Sequence, residues 1–325
     1  MSEKIVIIGN GIDWLDGCYS GFQADNVFYN NNRIPLKSGN RGIDLLIRCW
    51  FSVRDRKHLV IQLPFRSIWY RFSVFRGFIS ENDKIKFIIY DHNRISLDKA
   101  YVAWLRKKYK NCSVSYVFTN IASKSGAGDY GALGKLNKMY DHVFAFDEED
   151  SRKYGFEYNY LIYKPDTNVQ KPELKYDCLF VGNAKERLDL LHGVYKKLVT
   201  LGLNPCFYIN GVPVERQLKN SSIIYNIRIP YTKTIELTLS SKCIIDLLQD
   251  GSTGVALRIC EAVVWNKLVI TDNAGLVKEK FYSDNNIRII GTPDDITRDF
   301  FENTPNVDSR YAYLFSPEHL FELIT

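Results

Sequence analysis

The sequence predicts an α/β protein made of two doubly wound, Rossmann-like domains, each on a parallel sheet. Three observations predict it: the length, short apolar runs separated by helix-like stretches, and a polar break near the middle. The chain has 325 residues, 46% hydrophobic and 25% charged. That composition belongs to ordered globular proteins, and the length suits two domains of about 150 residues.

The apolar, β-branched or aromatic runs fall at 4–9, 58–63, 86–91, 114–120, 142–147 and 160–163, then at 176–182, 205–209, 223–229, 243–248, 267–272 and 287–290. Runs this apolar suit strands buried on both faces of a parallel sheet. Helix-like stretches lie between them. In 185–201, Leu188, Leu191, Val194, Tyr195 and Leu198 recur at helical spacing. Alternating strand and helix implies right-handed βαβ units. The break, KPDTNVQKPELK at 164–175, is polar with two prolines and reads as a linker. The expected domains are 1–163 and 176–325. Ser316-Pro317-Glu318 starts a short closing helix, with Ser as N-cap and Pro at the first helical position. Four glycines in 123–134 mark a loop.

No run of about 18 apolar residues suggests a membrane-spanning helix. The start, MSEKIVIIGNG, passes from a charged tip into a strand and is not expected to be a signal peptide. The seven cysteines are scattered with no CxxC pair. They read as reduced thiols of a cytoplasmic protein, with no zinc site expected. The net charge is +6, and it is uneven: from Arg33 to Arg76 ten basic residues face only Asp44 and Asp55 as acids. This basic first half suits phosphates or an anionic membrane surface.

Two stretches carry candidate chemistry. In YDCLFVGNAKER, a strand ends at Gly182 and a turn leads into a helix, beside Lys185 and Arg187. Such a turn directs backbone N–H groups and a positive helix end toward an anion, here a diphosphate. The alternative is a tight βα turn with two solvated cations. In GSTGVALRICE, Ser252, Thr253 and Gly254 read as a helix start, and Arg258 and Glu261 share a helix face. The flanking strands put this helix at the C-terminal edge of a parallel sheet, where doubly wound folds bind ligands. Glu261 then suits ribose hydroxyls; the alternative is an intrahelical Arg–Glu pair.

The arrangement from Cys243 onward resembles a family of bacterial capsule and lipopolysaccharide glycosyltransferases. The resemblance is carried by Asp246, Gln249, Thr253, Gly254, Arg258, Glu261, Ala262, Lys267, Leu268, Thr271, Asn273, Phe281, Tyr282, Asn286 and Ile287. FVGNAKERL and the stretch from Phe146 to Tyr154 also resemble it. The likeness is dense over the second half and thin over the first. It implies a GT-B fold, with two Rossmann-like domains facing across a cleft. It also implies a nucleoside-diphosphate sugar as donor, with a UDP-sugar expected, and no obligatory metal or other cofactor. Gln249 and Asp250 would contact the donor sugar. One departure matters. The broader retaining group places two glutamates eight apart, and the first falls here at Thr253, so a retaining mechanism of that style is not implied.

An inverting enzyme needs a base from the first domain. Asp91, ending the run KFIIYD before His92, is the first candidate, and Asp13 in the GNGID loop the second. A turn-capping role is the alternative for both. Gly9, Asn10 and Gly11 lack the third glycine of GxGxxG, which argues against a dinucleotide oxidoreductase. The same turn would let an acceptor or diphosphate approach the backbone. The acidic run from Asp147 to Asp150 reads as a helix N-terminus rather than a metal site. In 63–79, Arg66, Arg71 and Arg76 alternate with aromatics. A helix on the first sheet, a membrane-facing helix and a base-stacking surface are the three readings, and no known nucleic-acid motif supports the last.

The expected function is sugar transfer to a glycan or lipid-linked acceptor in surface polysaccharide biosynthesis. The protein would be cytoplasmic or peripheral on the inner face of the membrane through its basic first domain, with no nucleic-acid partner. The alternative is a non-catalytic GT-B-like nucleotide- or glycan-binding module of an assembly complex.

Overall fold

The computed structural model describes residues 3–19, 24–51, 66–125, 133–164 and 172–325. They form two compact units, Met1–Tyr160 with Leu320–Thr325, and Leu161–His319.

The first unit holds β1 (Glu3–Ile8), α1 (Asp13–Tyr19), β2 (Val27–Asn30), α2 (Arg41–Phe51), α3 (Arg66–Tyr70), β3 (Lys84–Tyr90), α4 (Lys99–Lys108), β4 (Cys112–Val117), α5 (Leu136–Met139), β5 (His142–Ala145), α6 (Glu148–Tyr154) and β6 (Glu157–Tyr158). Its sheet runs β2-β1-β3-β4-β5-β6, with every pairing parallel. β1 and β3 pair from Glu3 opposite Lys84 to Ile8 opposite Ile89. β3 is buried at every residue after Lys84, as a central parallel strand must be. Beneath it Phe75, Phe87 and Tyr109 pack as one aromatic group, with ring centroids 5.3–6.3 Å apart. Asp98 caps α4 by accepting from Ala100 N at 3.1 Å, and also accepts from the buried Tyr70 hydroxyl at 2.9 Å.

The second unit holds β7 (Tyr176–Asn183), α7 (Leu188–Thr200), β8 (Pro205–Asn210), β9 (Ile224–Tyr225), α8 (Tyr231–Leu239), β10 (Ser241–Asp246), α9 (Leu257–Val264), β11 (Leu268–Thr271) and β12 (Ile287–Ile289). Its sheet is also parallel, in the order β12-β11-β10-β7-β8-β9. α7 buries Leu188, Leu191, Val194, Tyr195 and Leu198, the face its periodicity predicts. Helix α10 (Pro317–Leu323) opens at Ser316, whose hydroxyl accepts from His319 N at 3.2 Å. Its far end joins the first unit, where Lys86 Nζ donates to Phe321 O at 3.1 Å.

The expected α/β architecture with two parallel sheets is the one observed. Three details differ. Edge strand β2 carries the sequence VFYN, all half-buried, and its apolar run of three residues, ended by Asn30, is too short to be singled out. The expected strand at 58–63 lies outside the described residues, as do most of the linker and the centre of the glycine loop. Residues 160–163 are not a strand. Leu161, Ile162 and Tyr163 are buried, but Tyr163 N donates to Phe315 O at 2.7 Å rather than to a ladder. The expected helix across 63–79 is described from Arg66 and ends at Tyr70. Successive turns follow, with Phe72 N donating to Trp69 O and Ser73 N to Tyr70 O, each at 3.0 Å. Among the described residues no helix is long and apolar enough to cross a membrane.

Candidate functional site

In an open parallel sheet, the crevice for a ligand opens where the strand order reverses, at the C-terminal strand ends. The first sheet reverses between β1 and β3, and the second between β7 and β10. Most of the sequence-derived candidates fall at these two places.

At the first, Gly9, Asn10 and Gly11 follow β1. The turn is built around Asn31, whose side-chain oxygen accepts from Gly11 N at 2.9 Å and whose amide donates to Ile12 O at 3.0 Å. A Cβ on Gly9 would sit 2.3 Å from that oxygen and 3.0 Å from the Asn31 Cα, so only glycine fits. Gly11 has φ +79°, which glycine adopts without strain. Arg33 Nε donates to Asn10 O at 3.1 Å, and buried Asn93 donates to Gly9 O.

Asp91, directly after β3, is fully buried. Its Oδ1 accepts from Thr119 N at 3.0 Å, from the Thr119 hydroxyl, and from Asn10 Nδ2 at 3.4 Å. Asn10 also donates to Thr119 Oγ1 at 3.2 Å, closing a three-residue network. Asp91 Oδ2 is buried with no hydrogen-bond partner among the described residues. His92 Nε2 lies 3.5 Å from it. Burial pushes the Asp91 carboxyl up to about 6, opposed by His92 and by the Thr119 and Asn10 hydrogen bonds. Asp13 is exposed at the start of α1 and, among the described residues, makes no hydrogen bond to this network. Sequence reasoning singled out Asp91 and Asn10 but missed Thr119; its only signal is its place two residues past the end of β4.

At the second place, β7 ends at Asn183 and a short 3-10 turn, Lys185–Arg187, precedes α7. Lys185 has φ +47°, rare for a side-chain-bearing residue. Its Nζ donates to Gln249 Oε1, and Asp250 N donates to Glu186 Oε1. The ends of β7 and β10 are thus tied across the switch point. Arg187 turns back over the Phe180 ring at 5.6 Å and donates to Asn183 O at 3.3 Å. Gly182 makes room: a Cβ there would meet the Phe180 ring at 3.1 Å and Arg187 Nη2 at 3.7 Å.

Asp246 ends β10, is buried, and its Oδ2 has no hydrogen-bond partner among the described residues. Burial drives its carboxyl up to about 7, with Arg187 and Arg258 pulling it down and Asp272 and Glu261 pushing it up. Burial in turn lowers Arg187. These charges therefore face one another in a poorly solvated setting, where they act strongly on any anion.

The helix start expected at Ser252–Gly254 is displaced. Helix α9 begins at Leu257 after Ala256, and Thr253 and Gly254 stand in the loop before it. Asn273 holds that loop, its amide nitrogen donating to Thr253 O at 3.4 Å and to Gly254 O at 3.2 Å. The reason is the run Val255-Ala256, extended at Ala256 with φ −69° and ψ 157°, which delays the first helical turn. Glu261 is fully buried. It pairs with Arg258 and accepts from Tyr231 Oη at 2.7 Å. The Arg–Glu pair is therefore present, and Tyr231 on α8 is a partner the sequence did not reveal. Lys267, part of the sequence resemblance, donates to Leu239 O and Ser241 O at 2.7 Å each, closing the C-terminal end of α8.

Asp147 caps α6, accepting from Glu149 N at 3.0 Å and Asp150 N at 3.2 Å, and Asp150 accepts from Ala122 N at 2.7 Å. Of the seven cysteines, Cys178 and Cys243 lie opposite each other on β7 and β10, both fully buried as thiols.

The fold is similar to that of sucrose-phosphate synthase from Thermosynechococcus elongatus, with 10% identity over 99% of this chain and 98% of that one, and a TM-score of 0.49. It is similar to α,α-trehalose 6-phosphate synthase from Burkholderia multivorans, with 11% identity over 99% of this chain and 93% of that one, and a TM-score of 0.48. A third similar structure is a DNA-modifying β-glucosyltransferase solved with and without uridine diphosphoglucose, with 12% identity over 99% and 91% of the two chains and a TM-score of 0.41. At these identities the likeness is one of fold alone. No protein-family model matches the chain, and no curated protein matches it.

Proposed function

We propose that the protein is a glycosyltransferase of GT-B type that moves a sugar from a nucleoside-diphosphate sugar to a hydroxyl acceptor. The observation that carries this reading is the pair of switch-point sites. One is cationic, with Lys185 beside Gln249 and Arg187 beside Asp246. The other centres on the anchored Asp91 carboxylate.

In this reading the second unit binds the donor. Lys185, Arg187 and Arg258 face the diphosphate and stabilise the charge it gains on leaving, so no metal is required. Gln249, Thr253 and Gly254 contact the sugar or phosphates from the loop after β10. Glu261, fully buried and held by Tyr231 and Arg258, orients Arg258 toward the UDP-sugar rather than meeting the ribose hydroxyls itself. The first unit binds the acceptor at the turn of Gly9, Asn10 and Gly11 and supplies the base.

The acceptor is proposed to be a growing surface polysaccharide, of capsule or lipopolysaccharide type, carried on lipid at the inner face of the cell membrane. Helix α2 supports this. Arg41, Leu45 and Arg48 share one exposed face, with Leu45 61% and Leu46 48% exposed, a combination suited to an anionic lipid surface.

Thermal unfolding with UDP-, GDP- and dTDP-hexoses, followed by release of nucleoside diphosphate, tests the proposal. A bound donor raises the melting temperature, and Lys185→Ala weakens the effect about tenfold in concentration. If none of these nucleotides stabilises the protein, the reading is wrong. The enclosure of Asp91 favours a second reading, a non-catalytic binding module. It predicts stabilisation by a sugar nucleotide with no turnover.

A further inference from the structure

We infer that His92 is the group that takes the acceptor's proton, and that Asp91 is the residue that positions it. This rests on the transferase reading and assigns a role within it.

Asp91 has no exposed surface, and its unpaired Oδ2 is buried as well. A base must reach within hydrogen-bond distance of the proton it removes, directly or through one water. An enclosed carboxylate does not meet that requirement. The neighbouring imidazole does. The His92 side chain is 39% exposed, and its Nε2 lies 3.5 Å from Asp91 Oδ2. The other ring nitrogen is left for the acceptor hydroxyl. Catalytic hydrogen bonds are often long before substrate arrives and shorten in the complex.

Two further features support this pairing. His92 has φ +58°, a left-handed conformation uncommon for a residue with a side chain. Strain of that kind persists where the surroundings over-determine it, and here they do. The next residue, Asn93, is buried and pinned to Gly9 O and to Asn32 O. Asp91 is likewise fixed, but through one oxygen only. Thr119 and Asn10 hold Oδ1, so Oδ2 faces the imidazole. A buried carboxylate with one anchored oxygen and one turned to an exposed imidazole sets ring orientation and stabilises the imidazolium as it forms.

The step balances. The acceptor oxygen bonds to the anomeric carbon of the donor sugar while its proton passes to His92. The anomeric carbon–oxygen bond breaks, and its electron pair leaves with the nucleoside diphosphate. The imidazolium then returns its proton to solvent.

The test uses the full chain and whichever of UDP-glucose, GDP-mannose or dTDP-glucose is turned over, with release of nucleoside diphosphate as readout. Asparagine tolerates the left-handed region, so His92→Asn removes the imidazole without disturbing the turn. The expected result is a fall in kcat of about 100-fold or more with KM for the donor unchanged. His92→Gly is expected to regain activity when imidazole is added, which a structural role would not produce. Asp91→Asn is expected to lose kcat without rescue by imidazole. The inference is overturned if His92→Asn keeps kcat within about threefold of the parent protein, or if imidazole restores nothing to His92→Gly. Failure of the parent protein to turn over any of these donors instead defeats the transferase reading, and the assignment of His92 with it.

Discussion

Asn10 Nδ2 reaches Asp91 Oδ1 at 3.4 Å and Thr119 Oγ1 at 3.2 Å, so the turn after β1 and the ends of β3 and β4 share one polar network. Three strand ends are locked together at the place where the sheet order reverses. That rigidity sets what substitutions there should do.

Thr119→Val removes the hydroxyl that donates to Asp91 and leaves the backbone donor in place. The Thr119 hydrogen bonds lower the Asp91 carboxyl, so its loss moves that group further up from about 6. The other titratable groups facing Asp91 are His92, Tyr90 and Tyr116, and burial raises both tyrosines, which stay protonated. Activity that needs the carboxylate should then lose its acid side at a higher pH, by about one unit. A kcat–pH profile checks this; an unmoved acid limb would count against the role of Asp91.

Asp246→Asn should stabilise the protein at pH 8 and not at pH 4. The folded carboxyl sits at about 7, above its unfolded value. A raised carboxyl contributes its stability below the unfolded pKa and loses it as pH rises through the folded one, between about 4 and 7. At pH 8 the parent protein carries a buried charge that asparagine lacks, while Asp272 and Glu186 still face Arg187. The gain should be on the order of 1–3 kcal/mol. Urea melts at the two pH values measure it, and an equal effect at both would refute the argument.

Glu261→Ala leaves Arg258 and the Tyr231 hydroxyl without their shared partner. Breaking a buried pair by removing one member costs about 3–5 kcal/mol. Glu261→Gln keeps an acceptor for Tyr231 and should cost less. Donor affinity is therefore best measured on the glutamine variant. A denaturant midpoint for Glu261→Ala within error of the parent protein would show the network to be idle.

Gly9→Ala should destabilise by about 1–3 kcal/mol, because the new methyl group meets Asn31 at both side chain and backbone. The displaced Asn31 would also release Gly11 N. Gly39→Ala, with nothing within 4 Å but φ +83°, isolates the backbone cost alone and should lose only about 1–2 kcal/mol. Gly9 is not among the left-handed glycines, so its loss reports the Asn31 contact, and a Gly9→Ala variant as stable as the parent protein would mean that this contact contributes nothing.

The sequence by itself determined the architecture. Apolar runs such as KFIIY and CIID, bounded by polar turns and rich in isoleucine, suit doubly buried parallel strands, and the spacing in α7 names its buried face. It also placed candidate residues at strand ends, since a glycine or an acid after such a run marks the C-terminal edge of a sheet. It missed β2, whose apolar run is only three half-buried residues long before Asn30, and it placed the start of α9 too early, at Ser252. The tertiary structure alone decided which distant residues meet. Thr119 stands 28 residues from Asp91, and Tyr231 stands 30 from Glu261. Those partnerships arise from strand order and helix packing, which local propensity does not encode. The same packing buries Asp91 and exposes His92, a difference between adjacent residues that only the assembled sheet edge creates.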